Sequence, residues 1–202
     1  MTPQQLRPEA RGFSLLELLL TLAIILVLFV MLYGSGSRSA QSRRLAACQK
    51  NLQTIYVALQ IYAGDFDGRF PGRPIARSSE EPLSLLVPKY TSVTEPFICP
   101  GSADERLPEA EPFSQRKISY AYYMGRHATN LAEPLVTDRQ VSTEPKTRGA
   151  LLFSPNGQGP GSNHNKYGGN VMFSDGRIET VPPHVPFAIP LAPRVVLLNP
   201  KP

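Results

Sequence analysis

Residues 13–33 read FSLLELLLTLAIILVLFVMLY, an unbroken apolar run interrupted by one charge, Glu17. About 21 residues at 1.5 Å per residue are enough to cross the hydrocarbon core of a bilayer. The preceding residues 1–12, MTPQQLRPEARG, are polar and carry Arg7 and Arg11. A basic flank stays on the cytoplasmic side, so the remainder of the chain is expected on the far side of the membrane. An ordinary secretory signal has a shorter apolar region followed by a small-residue cleavage site. Here the small residue, Gly12, stands before the apolar run. That order predicts a leader over 1–12, processing at Gly12-Phe13 and a transmembrane helix over 13–33.

Glu17 is out of place in such a helix. A carboxylate costs about 2.5–3.5 kcal/mol at the centre of a membrane helix and less near its edge. It either snorkels to the headgroups or pairs with a positive charge once subunits assemble, and the second reading gives it a purpose. Arg11-Gly12-Phe13-Ser14-Leu15-Leu16-Glu17, ahead of the apolar helix, resembles the class III signal of type IV pilins and type II secretion pseudopilins. The resemblance implies that a membrane-bound prepilin peptidase cuts after Gly12 and methylates the new amino terminus at Phe13. It also implies that Glu17 is an assembly residue. Cutting creates an ammonium that can neutralise the Glu17 of a neighbouring subunit, and an apolar filament core strengthens that pair. Such a pair sets axial register rather than supplying most of the binding energy.

Bulk composition narrows the remaining choices. The 202 residues have room for one modest globular domain plus an appendage. Twenty-one prolines against fifteen glycines, with no tryptophan, argue for a loop-rich domain. The net charge of +5 comes from basic residues scattered among acids, with no run of five or more, so nucleic acid is not an expected partner. Two cysteines, Cys48 and Cys99, are too few for a disulfide scaffold and lack metal-ligand spacing.

Beyond the membrane segment, Gly34-Ser35-Gly36-Ser37 should weaken the helix. Helical pattern then resumes over 34–63 as an amphipathic continuation. Leu45, Cys48, Leu52, Ile55, Leu59 and Tyr62 form one stripe of helical spacing, read as core packing. Gly64 is a helix stop, and DFDGRFPGRP is turn-rich. Asp65-Phe66-Asp67-Gly68 resembles the opening of a calcium loop, but the later glutamate is missing, so a turn is expected. The proline-rich stretch 75–112 is irregular. Strand-like runs cover 117–124, 150–153, 170–174 and 177–181. Asp175-Gly176 between the last two is a hairpin signal of the type I′ kind, which needs positive φ at both residues. From Pro182 onward seven prolines suggest a tail lying as extended chain along the surface. The chain shows no internal repeat. The expected fold class is therefore α+β: a long N-terminal transmembrane and stalk helix packed on a small antiparallel β-sheet head over 64–181, pilin-like in shape, with a Pro-rich tail over 182–202.

The head has a second, weaker resemblance. CQKNLQTIYVALQIYAGDFDGRFP, FICP, SYAYYMG and HNKYGGNVMFSDGRIETV resemble prepilin-type proteins of planctomycetes and their relatives, which end in a His followed, usually nine residues later, by Asp-Gly. Here ten residues separate His164 from Asp175-Gly176. The match implies architecture more than activity. Only His127 and His184 accompany His164 in the chain, and nothing in the sequence brings them together. A structural hydrogen-bonding role for His164 is therefore favoured over a metal, and no cofactor is expected. Ser162 and Ser174 sit in no nucleophile elbow, so no enzyme is expected. Cys48 and Cys99 leave two alternatives open. Outside the cytoplasm a bridge would tie the head to its stalk, contributing about 4 kcal/mol in the loop-entropy model; otherwise both are free buried thiols.

The sequence thus points to a structural subunit, pseudopilin or pilin, of a secretion or pilus-like filament. Its expected partners are the prepilin peptidase/methyltransferase, other pilin-like subunits and the inner membrane, with the amino terminus cytoplasmic and the head extracytoplasmic. The alternative is a minor, tip or membrane-tethered binding protein that recognises a surface, polysaccharide or secreted substrate. A bulky residue in place of Gly12 is expected to block maturation, giving an intact mass larger than wild type by the leader; normal processing of that variant would remove the proposed junction.

Overall fold

The structure is a computed structural model that describes residues 14–34, 36–130, 132–141, 149–186 and 192–202. The Gly12-Phe13 junction lies outside the described residues. The chain forms two compact units, Met1–Ala40 and Gln41–Pro202.

The first unit contains helix α1, Leu15–Gly34. Its leucines, isoleucines and valines stay exposed: none of the window Leu15–Leu32 is buried. Such a surface is unfavourable in water and suited to hydrocarbon. The polar Thr21 hydroxyl donates to the Leu18 carbonyl at 2.8 Å, which satisfies it within the helix, as a membrane helix requires. Glu17 lies in the first turn, where the helix dipole favours an acid.

Helix α2, Gly36–Asp65, enters the second unit at Gln41. The expected stripe is its inward face. Cys48, Leu52, Ile55, Leu59 and Tyr62 are buried, while Leu45 at the stripe's start is half-buried. Ala58 and Ala63 join the same core. Each large side chain buried this way contributes roughly 1.5–3 kcal/mol. The helix runs through Gly64 to Asp65. The reversal comes at Asp67 (φ 50°) and Gly68 (φ 80°). A Cβ at Gly68 would lie 2.5 Å from the His127 ring, so the turn needs glycine for close approach as well as for φ. The Asp65 carboxylate accepts from Lys89 Nζ at 2.9 Å and Tyr90 Oη at 3.0 Å.

Short helix α3, Glu80–Leu83, and turns at Ser84–Leu86 and Glu95–Phe97 break up the proline-rich stretch. Five antiparallel strands follow: β1 Tyr120–Met124, β2 Pro134–Asp138, β3 Gly169–Phe173, β4 Ile178–Val181 and β5 Val196–Leu198, in the order β4-β3-β2-β1-β5. Tyr120, Tyr122, Val136 and Met172 belong to the α2 core. Tyr123, Val171 and Phe173 belong to a second cluster with Leu152, Phe153 and Val195. Alternation along β1 and β3 therefore serves two buried faces. The run 117–124 becomes a strand only from Tyr120, and 150–153 contributes one isolated bridge, Leu151 to Pro186, with Leu152 and Phe153 packing as loop residues.

Two expectations are corrected. The β3–β4 hairpin forms, pairing Met172 with Ile178, but its turn is not type I′. Gly176 alone takes positive φ, at 85°, and Gly176 N–H donates to the Phe173 carbonyl at 2.9 Å. This is a three-residue loop with glycine at the left-handed position. The tail, expected along the surface, instead supplies edge strand β5, which pairs Tyr122 with Leu198. Ser79 N–H donates to the Asn199 carbonyl at 3.1 Å, and Lys201 N–H donates to Glu80 Oε1 at 2.9 Å. The pattern missed the tail because only three residues between prolines form the strand, and it missed β2 because every residue there is buried, leaving no alternation to read. Leu198→Ala is expected to cost about 2–3 kcal/mol in urea denaturation of the full chain, whereas an unpacked surface tail would leave stability unchanged.

Candidate functional site

Four chemically distinctive side chains meet in the head's interior. Cys48 faces inward from α2. Cys99 follows the Glu95–Phe97 turn, which Asn51 Nδ2 fastens to α2 by donating to the Ile98 carbonyl at 2.9 Å. Asp138 closes β2. His164 sits in the loop before β3, shaped by Asn165 at φ 53°. All four residues are at most 1% exposed. Cys48 and Cys99 form a disulfide with Cα atoms 5.5 Å apart.

Asp138 organises the polar side of this centre. Its Oδ2 accepts from Asn170 N–H at 2.7 Å, and its Oδ1 accepts from Asn163 Nδ2 at 3.2 Å. His164 Nε2 lies 3.3 Å from Asp138 Oδ2 and 3.3 Å from Cys99 Sγ. One ring nitrogen faces both neighbours, so the three residues are not a relay, which would use the two nitrogens separately. His164 Nδ1 has no partner among the described residues. Tyr120 Oη donates to Cys48 Sγ at 3.4 Å. Burial, with the Asp138 charge beside it, pushes the Tyr120 phenol well above its usual range, so it stays a protonated donor. The ligand atoms of Cys48, Cys99, Asp138 and His164 lie within 4.8 Å of one another, which makes these the residues able to hold a metal.

The network continues outward. Asn163 Nδ2 also donates to the Ser119 carbonyl at 2.7 Å, and Ser119 Oγ donates to Asp104 Oδ2 at 2.7 Å. Arg139 Nη2 lies 3.0 Å from the same carboxylate oxygen. Burial alone would raise the Asp104 pKa, but the Ser119 hydroxyl, the Arg139 guanidinium and Ser102 together hold it below the ordinary aspartate value.

The sequence motif His164…Asp175-Gly176 does not form one site. His164 lies in the buried centre near the start of β3, and Asp175-Gly176 make the turn after its end. The turn is fitted against α2: a Cβ at Gly176 would lie 2.7 Å from the Tyr56 ring, and Tyr56 Oη donates to the Ser174 carbonyl at 3.1 Å. Asp138 was not legible as a site residue, because one aspartate ending a short strand has no spacing signature. Ser162 and Ser174 have no catalytic base placed against them among the described residues. Because Asp104 has a lowered pKa, its share of stability is present above the unfolded value of 3.8 and is lost as pH falls through the folded value. Asp104→Asn is expected to lower stability at neutral pH and flatten its decline below about pH 4; an unchanged acid limb in denaturation curves would refute this.

Glu17 is exposed in α1. Residues 7–33 match the family model of the prokaryotic N-terminal methylation motif. The matched segment includes Gly12, Phe13 and Glu17 and ends before the head. No curated protein and no solved structure matches the chain. The amino-terminal segment of this protein therefore carries a type IV prepilin-like class III signal, which supports a pilin- or pseudopilin-like precursor.

Proposed function

We propose that the chain is a filament subunit of a type II secretion or type IV pilus-like apparatus, cut after Gly12 by a prepilin peptidase and methylated at Phe13. The methylation motif over residues 7–33 carries this reading. Helix α1 supports it, since its apolar surface is unburied on all sides. In the inner membrane lipid covers that surface; after extraction the α1 helices of neighbouring subunits cover it instead. The driving force is similar in both settings, so assembly costs little hydrophobic free energy. Direction and register then fall to the polar pair, the Phe13 ammonium of one subunit against Glu17 of the next. Breaking such a pair by removing one partner is costly because the other charge stays buried. The role is structural rather than enzymatic, with the basic leader cytoplasmic and the head outside. Between the two machines, pseudopilin is slightly preferred.

One observation favours the second reading, a tip or tethered binding subunit. A cleft of about 560 Å³ on the head is lined by Arg69, Arg73, Arg126, His127 and Arg194, with no acid among its lining residues. Arg126 reaches Glu133 through Nη1, while its buried Nε and Nη2 have no partner among the described residues. An anionic polysaccharide suits such a cleft.

Glu17→Ala decides between the readings. For a filament subunit, membrane insertion and cleavage persist, seen by fractionation and mass spectrometry, while filaments are lost. Normal filaments from that variant would defeat the charge pairing. If the protein forms no filaments even in wild type, and Arg73→Glu abolishes binding of an anionic polysaccharide, the binding reading stands instead.

A further inference from the structure

A disulfide needs no polar neighbours, and its sulfurs are weak hydrogen-bond acceptors, whereas a thiolate is stabilised by nearby donors and cations. The head nevertheless sets a donor against each sulfur. Tyr120 Oη lies 3.4 Å from Cys48 Sγ, and Gly101 N–H donates to Cys99 Sγ at 3.3 Å. A histidine and an aspartate, both fully buried, complete the cluster. Burying that pair beside an already closed bridge costs desolvation for no gain to the bridge. Gly101 is what lets the imidazole seat here, since a Cβ at that position would lie 2.6 Å from His164 Nδ1 and 2.4 Å from the Asn163 carbonyl oxygen.

Two thiolates, one imidazole nitrogen and one carboxylate oxygen are a donor set of the zinc class, too soft for calcium or magnesium. Their mutual spacing, all within 4.8 Å, suits a tetrahedral ion with ligands at about 2.0–2.3 Å. The surroundings match as well. Ligating carboxylates are themselves hydrogen-bonded, and Asp138 already accepts from Asn170 N–H and Asn163 Nδ2.

We propose that the reduced, dithiol form of this chain binds one zinc-class divalent ion through Cys48 Sγ, Cys99 Sγ, His164 Nε2 and Asp138 Oδ2. Bridge and metal are then alternative locks of one centre. Opening the bridge takes two electrons and two protons: a dithiol supplies both and closes its own disulfide, whereas a phosphine supplies the electrons and becomes its oxide, water giving the oxygen and both protons; ligation then releases both thiol protons. With every ligand buried and no open position, the site is structural rather than catalytic. It ties together α2, the segment after Phe97, β2 and the loop before β3. It would hold the head in reducing surroundings, where a disulfide does not persist. The proposal does not rest on filament assembly.

The test uses the full chain in detergent micelles, reduced with a phosphine and titrated with cobalt(II), while near-ultraviolet circular dichroism follows the fold. One cobalt per chain is expected, with thiolate-to-cobalt charge transfer and the visible intensity of a tetrahedral ion, both removed by excess zinc. Before reduction the same chain should take none. His164→Gln and Asp138→Asn should each weaken binding at least about tenfold while keeping charge transfer, and Cys48→Ser should reduce the charge-transfer intensity. A reduced, still folded chain that takes no cobalt would overturn the proposal, as would variants binding as tightly as the parent. Should reduction unfold the head, zinc is expected to restore the near-ultraviolet spectrum, and its failure to do so would equally overturn it.

Discussion

The packing of α2's stripe, from Cys48 to Tyr62, against Tyr120, Tyr122, Val136 and Met172 is the contact on which the rest of the head depends. It decides which face of each strand is buried against helix, and so the register of β1, β2 and β3. A one-residue slip would send Tyr120 and Tyr122 to the opposite face, where Leu152, Phe153 and Val195 already fill the space with Tyr123. The second cluster explains how β1, β2 and β3 are buried on both faces with one covering helix. Loop residues and the carboxy-terminal segment do the work a second helix would do in a larger domain.

Within that frame, a polar network is tolerated because it is nearly satisfied. Asp138, Asn163, Ser119, Asp104 and Arg139 connect the sheet's interior to its surface by successive hydrogen bonds. Buried polar groups cost most when partners are missing, and here, among the described residues, the network leaves only His164 Nδ1 and Arg139 Nε unpaired. The disulfide and this network meet at His164. Covalent tie and hydrogen-bonded tie therefore hold the same elements together, and a change in the oxidation state of the sulfurs is felt directly by the His164–Asp138 pair.

Helix α1 obeys a different constraint. Its backbone is satisfied internally and its side chains ask only for an apolar medium, so nothing within its own sequence distinguishes lipid from a bundle of identical helices. Under the proposed function the charge at Glu17 would make the distinction, because hydrocarbon offers it no partner while a neighbouring subunit's amino terminus would. The matched motif spans Gly12, Phe13 and Glu17, and under the proposed function the two features are chemically complementary: a peptide bond cut at Gly12-Phe13 would yield the cation that the carboxylate lacks.

What the sequence determined by itself was whatever depends on neighbours along the chain. The apolar run of α1, the methylation-motif segment over 7–33, the helical spacing of the stripe and the β3–β4 hairpin all rest on local sequence, periodicity or one residue's backbone freedom. The hairpin's turn type was misread, since Gly176 alone adopts the left-handed conformation and the loop is longer than its Asp-Gly pair implies. Tertiary structure decided the rest. Pro134-Leu135-Val136-Thr137-Asp138 is a strand because both its neighbours pair with it, and Val196–Leu198 is one because β1 offers an open edge. The meeting of Cys48, Cys99, Asp138 and His164 joins residues up to 116 positions apart. Such a convergence leaves no trace in spacing, because it is set by how α2 packs on the sheet and not by any run of residues.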